Sequence, residues 1–163
     1  TTPTSATPEA SKTLSDEEIA AITAAANNAE VDQGNLARAK ARDPRVRDFG
    51  AMMIDHHEEA RREQQSLNIP EAESTESREL TRSANAAFQK LQHEQGSDFD
   101  RAYVQVQIDE HRKVLQSLRQ ELLPAAKNPK LEAYLQKITP TVESHLAQAE
   151  RLQQELGSPS ELR

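Results

Sequence analysis

The sequence predicts an all-α protein, a bundle of four long helices with a short extra crossover helix. Three observations carry that expectation. The 163 residues are rich in Ala, Leu, Glu, Gln and Arg, with only four glycines and five aromatics, a composition that favours helix over sheet. Apolar residues recur at alternating spacings of four and three, the signature of helices that bury one stripe. Capping residues and prolines divide these stripes into segments of helical length. The length suits one domain with a real core.

Each element follows from its own residues. Ser15 precedes Asp16, Glu17 and Glu18, an N-cap with its capping-box partner, and opens a first helix that runs to about Ala41. "RDP" at 42–44 stops it, and Pro44 suits the first turn of a second helix that ends near Asn68, at "NIPEAES". "STESRELTRSANAAFQKLQ" supports a shorter third helix. Gly96, with Ser97 as cap, separates it from a fourth that starts at "SDFD" and ends near Pro124. "KNP" at 127–129 opens the fifth, and Pro140 is expected to bend that helix without ending it, because the apolar spacing resumes in phase. Residues 1–14, mostly Thr, Ser, Pro and Ala, read as a disordered tether, 15–157 as the bundle and 158–163 as a tail.

Composition narrows the function. A formal charge of −7, with Arg and Lys interspersed among acids, argues against nucleic-acid binding. No apolar run approaches the roughly 20 residues that span a bilayer. Without cysteine there are no disulfides, thiolate metal sites or cysteine nucleophiles; that absence and the tether-like N-terminus suit an exported protein whose signal has been removed. Hydrolase constellations and Gly-rich phosphate loops are missing.

The stripes contain the chemistry. In the fifth helix Leu131, Leu135, Ile138, Val142, His145, Ala149, Leu152 and Leu156 keep the spacing, with His145 in a core place. Val104, Ile108, His111, Leu115, Leu118 and Leu122 do the same in the fourth, and Val46, Gly50, Met53, His57, Ala60, Gln64 and Leu67 in the second. The first helix brings Glu30, at the edge of a side defined by Ile22, Ala26, Ala29, Gln33 and Leu36. Counted from the turns, Glu30 is level with His57 to about 3 Å, and His111 is level with His145. If the third helix carries the chain back across the bundle, the second and fourth run parallel and all four residues share one level, the long-crossover topology of ferritin-like bundles.

Three imidazoles and a carboxylate from four helices make a site for a divalent transition metal, zinc or copper ahead of iron. The alternative is a metal-free polar layer, each histidine bonded to a neighbour. Met53 reads as core filler, with a thioether ligand as its alternative. His56, about 100° off the seam, reads as solvated, with an exposed copper site beside Asp55 as its alternative, and His93 joins nothing by spacing. Tyr103 and Tyr134 are expected at the core or rim with hydroxyls reaching solvent. The paired Glu-x-x-His motifs of di-iron oxidases are absent, since Ile54, Ile108 and Val142 stand three residues before the histidines.

The runs "AEVDQGNLA", "VRDFGAMMIDHHEEA", "FDRAYVQVQIDEH" and "NPKLEAYLQKITPTVESHL" resemble a bacterial family catalogued as domain of unknown function 4142. The resemblance covers nearly everything from Ser15 to Leu156. It implies a ferritin-like bundle and an exported protein, periplasmic or associated with the outer membrane, and it implies no activity. Its recurrent histidines fall on His57, His111 and His145, and its recurrent first-helix acid on Glu30. Where the family typically has Asp before the second-helix histidine, this chain has His56. Two functions follow as expectations: metal handling or stress defence, or a non-catalytic bundle whose acidic surface meets a partner in the cell envelope.

Overall fold

The computed structural model describes residues 13–157, so the expected tail, and the expected tether up to residue 12, lie outside the described residues. The described chain is entirely helical between its turns. It comprises α1 (Asp16–Lys40), α2 (Pro44–Ser66), α3 (Thr75–His93), α4 (Gly96–Ser117) and α5 (Pro129–Gly157), with α4 prolonged through Leu118–Leu122 and Leu123–Ala125.

The ends are set by side chains, mostly as the sequence predicts. Ser15 and Glu18 close a capping box on α1, and Ser74 with Ser77 closes another on α3. Asp43 caps α2 ahead of Pro44. Two acids brace turns elsewhere in the chain. Asp100 accepts the N–H groups of Arg42 and Asp43 at 2.9 Å each, and Asp16 accepts those of Lys127 and Asn128 at 2.8 and 3.0 Å. The expected Ser97 cap is not formed. Gly96 takes a left-handed backbone (φ 55°) and starts α4 one residue earlier, after Gln95, which makes no side-chain cap, so Ser97 lies inside the first turn.

Near Pro124 the α4 ladder widens: the Leu123 N–H reaches the carbonyl of Leu118, five residues back. Proline has no N–H to continue the four-residue ladder, and the wider turn lets Leu118 and Leu122 both stay buried. Pro140 sits inside α5, which continues to Gly157.

The third helix, with 19 residues, is shorter than α1, α2 and α5, as expected. It starts beside the beginning of α1, where the Ala72 N–H bonds the Glu17 carbonyl, and ends where Lys40 Nζ meets the carbonyls of Leu91 and Gln92. It therefore runs alongside α1 and returns the chain so that α2 and α4 are parallel. Phe49 lies 6.2 Å from Tyr103 and His57 lies 6.0 Å from His111, ring to ring, eight residues further along each helix. Only Ser77, Ala84 and Leu91 of α3 are buried, a narrow stripe that suits a helix lying against one side of the bundle.

The apolar core is split. Val46, Phe49, Met53, Leu91, Phe99, Val104 and Leu152 fill one end, and Ile19, Leu118, Leu122, Leu131 and Leu135 fill the other. Along each of α1, α2, α4 and α5 the segment between these clusters is polar and buried: Asn27, Glu30 and Gln33, then His57, then Gln107 and His111, then His145. Met53 is wholly enclosed by the first cluster.

Candidate metal centre

His57, His111 and His145 come together as the stripes predict. One ring nitrogen from each lies within 4.8 Å of the others, and all three side chains are buried. Ring centroids are 5.3 to 6.0 Å apart. Nitrogens on a tetrahedral zinc lie roughly 3.3 Å apart, so the trio stands slightly wider than a closed coordination shell.

Each imidazole is held at one nitrogen. His57 Nδ1 lies 2.8 Å from Asn27 Oδ1, and His111 Nδ1 lies 2.8 Å from the Gln107 carbonyl oxygen; both oxygens accept, so both Nδ1 atoms carry the proton and leave Nε2 with its lone pair. His145 Nε2 lies 2.8 Å from His56 Nδ1, with the two rings stacked. When His145 donates from Nε2, its Nδ1 is the lone-pair nitrogen. His57 Nε2 and His145 Nδ1 are buried and have no hydrogen-bond partner. Fixing one nitrogen by an outer contact and leaving the other bare is how metal-binding histidines are oriented.

Electrostatics keep the rings neutral. Burial pushes His57 well below its ordinary value, with the neighbouring His111, His145 and His56 adding to it. Burial lowers His111 against the opposing pull of the Gln107 carbonyl and Glu110. His145 is pushed down to about 3 by burial, then by His111 and His56. Neutral imidazole is the form that binds a metal.

Glu30 stands beside the trio rather than within it, with Oε1 3.6 Å from His111 Nδ1. Burial raises it to about 7, against hydrogen bonds from Gln107 and Glu110. Glu110, which the sequence reading passed over, is raised to about 8 by burial and then by the charge of Glu30. Gln107 Nε2 donates to Gln33 Oε1 at 2.8 Å and Gln33 Nε2 to Glu110 Oε1 at 3.1 Å. The available signal was a matched spacing, Glu30-x-x-Gln33 on α1 and Gln107-x-x-Glu110 on α4.

Two further expectations change. His56 is exposed, as expected, but its Nδ1 also engages His145, because a residue 100° round α2 from His57 faces α5. Neither tyrosine hydroxyl points to water: Tyr134 donates to the Ala60 carbonyl at 3.1 Å and accepts from Asn27 at 3.4 Å, while the Tyr103 hydroxyl is buried without a partner. His93 ends α3 in solvent, apart from the cluster, and Asp55 is likewise exposed. A chamber of about 460 Å³ adjoins the imidazoles, walled by Leu80, Val114, Leu118 and Val142.

No helix among the described residues is long and apolar enough to cross a membrane. Comparison with curated proteins and with solved structures finds no match. A family model does match, over residues 1–152: the chain belongs to the DUF4142 family, a domain of unknown function.

Proposed function

We propose that the protein is an exported, ferritin-like bundle that binds a divalent transition metal through His57, His111 and His145, in metal handling or stress defence. The observation that carries this is the pair of buried bare nitrogens, His57 Nε2 and His145 Nδ1, in a trio that brings one ring nitrogen of each histidine within 4.8 Å of the others. A buried polar atom without a partner costs about 1–3 kcal/mol, and one cation would satisfy the trio together. Imidazole donors favour zinc or copper over iron. Three protein ligands leave a fourth position, and the adjoining chamber has room for a water or small ligand there. Glu30 balances the cation's charge from beside His111. Export rests on the composition of residues 1–14 and the lack of cysteine.

The competing reading is a metal-free polar layer in an envelope interaction protein, favoured by the His56–His145 bond. Elemental analysis of protein purified without a histidine tag separates them. Near-stoichiometric zinc or copper supports the metal reading, and protein that remains metal-free after equilibration with both sinks it.

A further inference from the structure

We infer that Glu30 and Glu110, with Gln107 and Tyr103, form a second cation position built of oxygen donors on the far side of His111 from the histidine trio.

The antiparallel helices α1 and α4 bring these side chains together. Gln107 bonds Gln33 and Gln33 bonds Glu110, while Glu30, one turn before Gln33 on α1, lies with its Oε1 3.6 Å from Nδ1 of His111, the residue that follows Glu110. Tyr103 lies one turn before Gln107 on α4, and the charges of both Glu30 and Glu110 bear on its hydroxyl. Gln107 and Tyr103 are fully enclosed and Glu30 is 5 % exposed. Even so, three oxygens have no partner: Glu30 Oε2, Gln107 Oε1 and the Tyr103 hydroxyl.

Hydrogen bonding among these side chains leaves those three atoms over. A single cation can take several oxygens at once, and two carboxylates supply the charge to neutralise it. Carboxylate, amide and phenol oxygens are hard donors, suited to manganese, magnesium or calcium, whereas the imidazoles suit zinc, copper or cobalt. The two positions share no ligand atom in this arrangement. His111 Nδ1, the nitrogen nearest Glu30, is committed to the Gln107 carbonyl, which leaves Nε2 for the trio. The oxygen position therefore goes beyond the histidine site and can fail separately from it.

The test uses the whole chain, stripped with chelator, then titrated with Co²⁺ followed by visible absorption and with Mn²⁺ followed by loss of the free-ion electron paramagnetic resonance signal. Wild type is expected to take up cobalt with intense tetrahedral bands and, when cobalt-loaded, to bind manganese as well. Glu110→Gln should weaken manganese binding by about tenfold or more and keep the cobalt bands, which also report an intact fold. His145→Gln should lose the bands and keep manganese. Cobalt-loaded wild type that binds no manganese, or equal manganese affinity in wild type and Glu110→Gln, overturns the oxygen position while leaving the histidine reading intact. Manganese binding without any cobalt bands overturns the histidine reading and supports this one.

Discussion

Asn27 and His57 meet across the α1–α2 interface, the amide oxygen of Asn27 accepting the His57 Nδ1 proton at 2.8 Å. The contact fixes both the tautomer and the ring plane. Asn27 is itself steadied by Tyr134, whose hydroxyl is anchored on the Ala60 carbonyl. Asn27→Leu strands the Nδ1–H in an apolar setting, at a cost of about 1–3 kcal/mol, and should lower zinc affinity by roughly 10- to 100-fold. Competition against a chromophoric chelator measures it. Unchanged affinity would show that Asn27 does not orient the ring.

The same interface depends on two glycines. A Cβ on Gly34 would lie 2.9 Å from both the Gly50 carbonyl oxygen and Ile54 Cγ1, and one on Gly50 would lie 2.8 Å from Ala37 Cβ. Backbone cannot give way as a side-chain tip can, so Gly34→Ala must push α1 and α2 apart. We expect a loss of about 1–3 kcal/mol and a lower melting temperature. Gly157→Ala, where an added methyl meets nothing, is the control.

His111 separates the two accounts of the core. In a metal-free layer, His111→Leu replaces a polar group by an apolar one of similar size and leaves stability unchanged or higher. If it is a ligand, the variant loses bound metal, and the chelator-induced drop in melting temperature seen in wild type disappears. A wild-type melting temperature that chelator does not move would mean that metal does not stabilise the fold.

The histidine trio was legible because helix period and turn positions fix which residues share a face and a level; only the match of His57 with His111 needed the further assumption that the third helix carries the chain back across the bundle. Glu30 was placed on the right helix face, but periodicity does not say on which side of His111 its carboxylate lies. His56 was set aside by its angle from the seam, although an angle from one neighbour is a direction toward another, and α5 stands there. The buried Gln107 and half-buried Glu110 were missed for a different reason: both pair with Gln33, and a polar residue stabilised by another polar residue leaves no hydrophobic trace.

The pH dependence of the chelated protein tests the polar layer as a whole, because its two kinds of group pull in opposite directions. The three histidines have folded values below the ordinary 6.5, so their contribution is complete above 6.5 and is lost as pH falls toward those lowered values. Glu30 and Glu110 have folded values raised from 4.5 to about 7 and about 8, so their contribution is present below 4.5 and is lost as pH rises through 7 and 8. Between 4.5 and 6.5 the two effects oppose, with three histidines outweighing two acids; above 6.5 only the acids act. Metal-free protein should therefore be most stable near pH 6.5 and lose stability on both sides. Urea unfolding at intervals from pH 5 to 8.5 gives the curve. His57→Gln should flatten its acid limb and Glu110→Gln its alkaline limb. A stability that climbs steadily through pH 8.5 would mean that the carboxyl pair is already ionised at neutrality, and one that rises on acidification from 7.5 to 5.5, and not in His57→Gln, would mean that Glu30 holds an imidazolium instead of facing neutral rings.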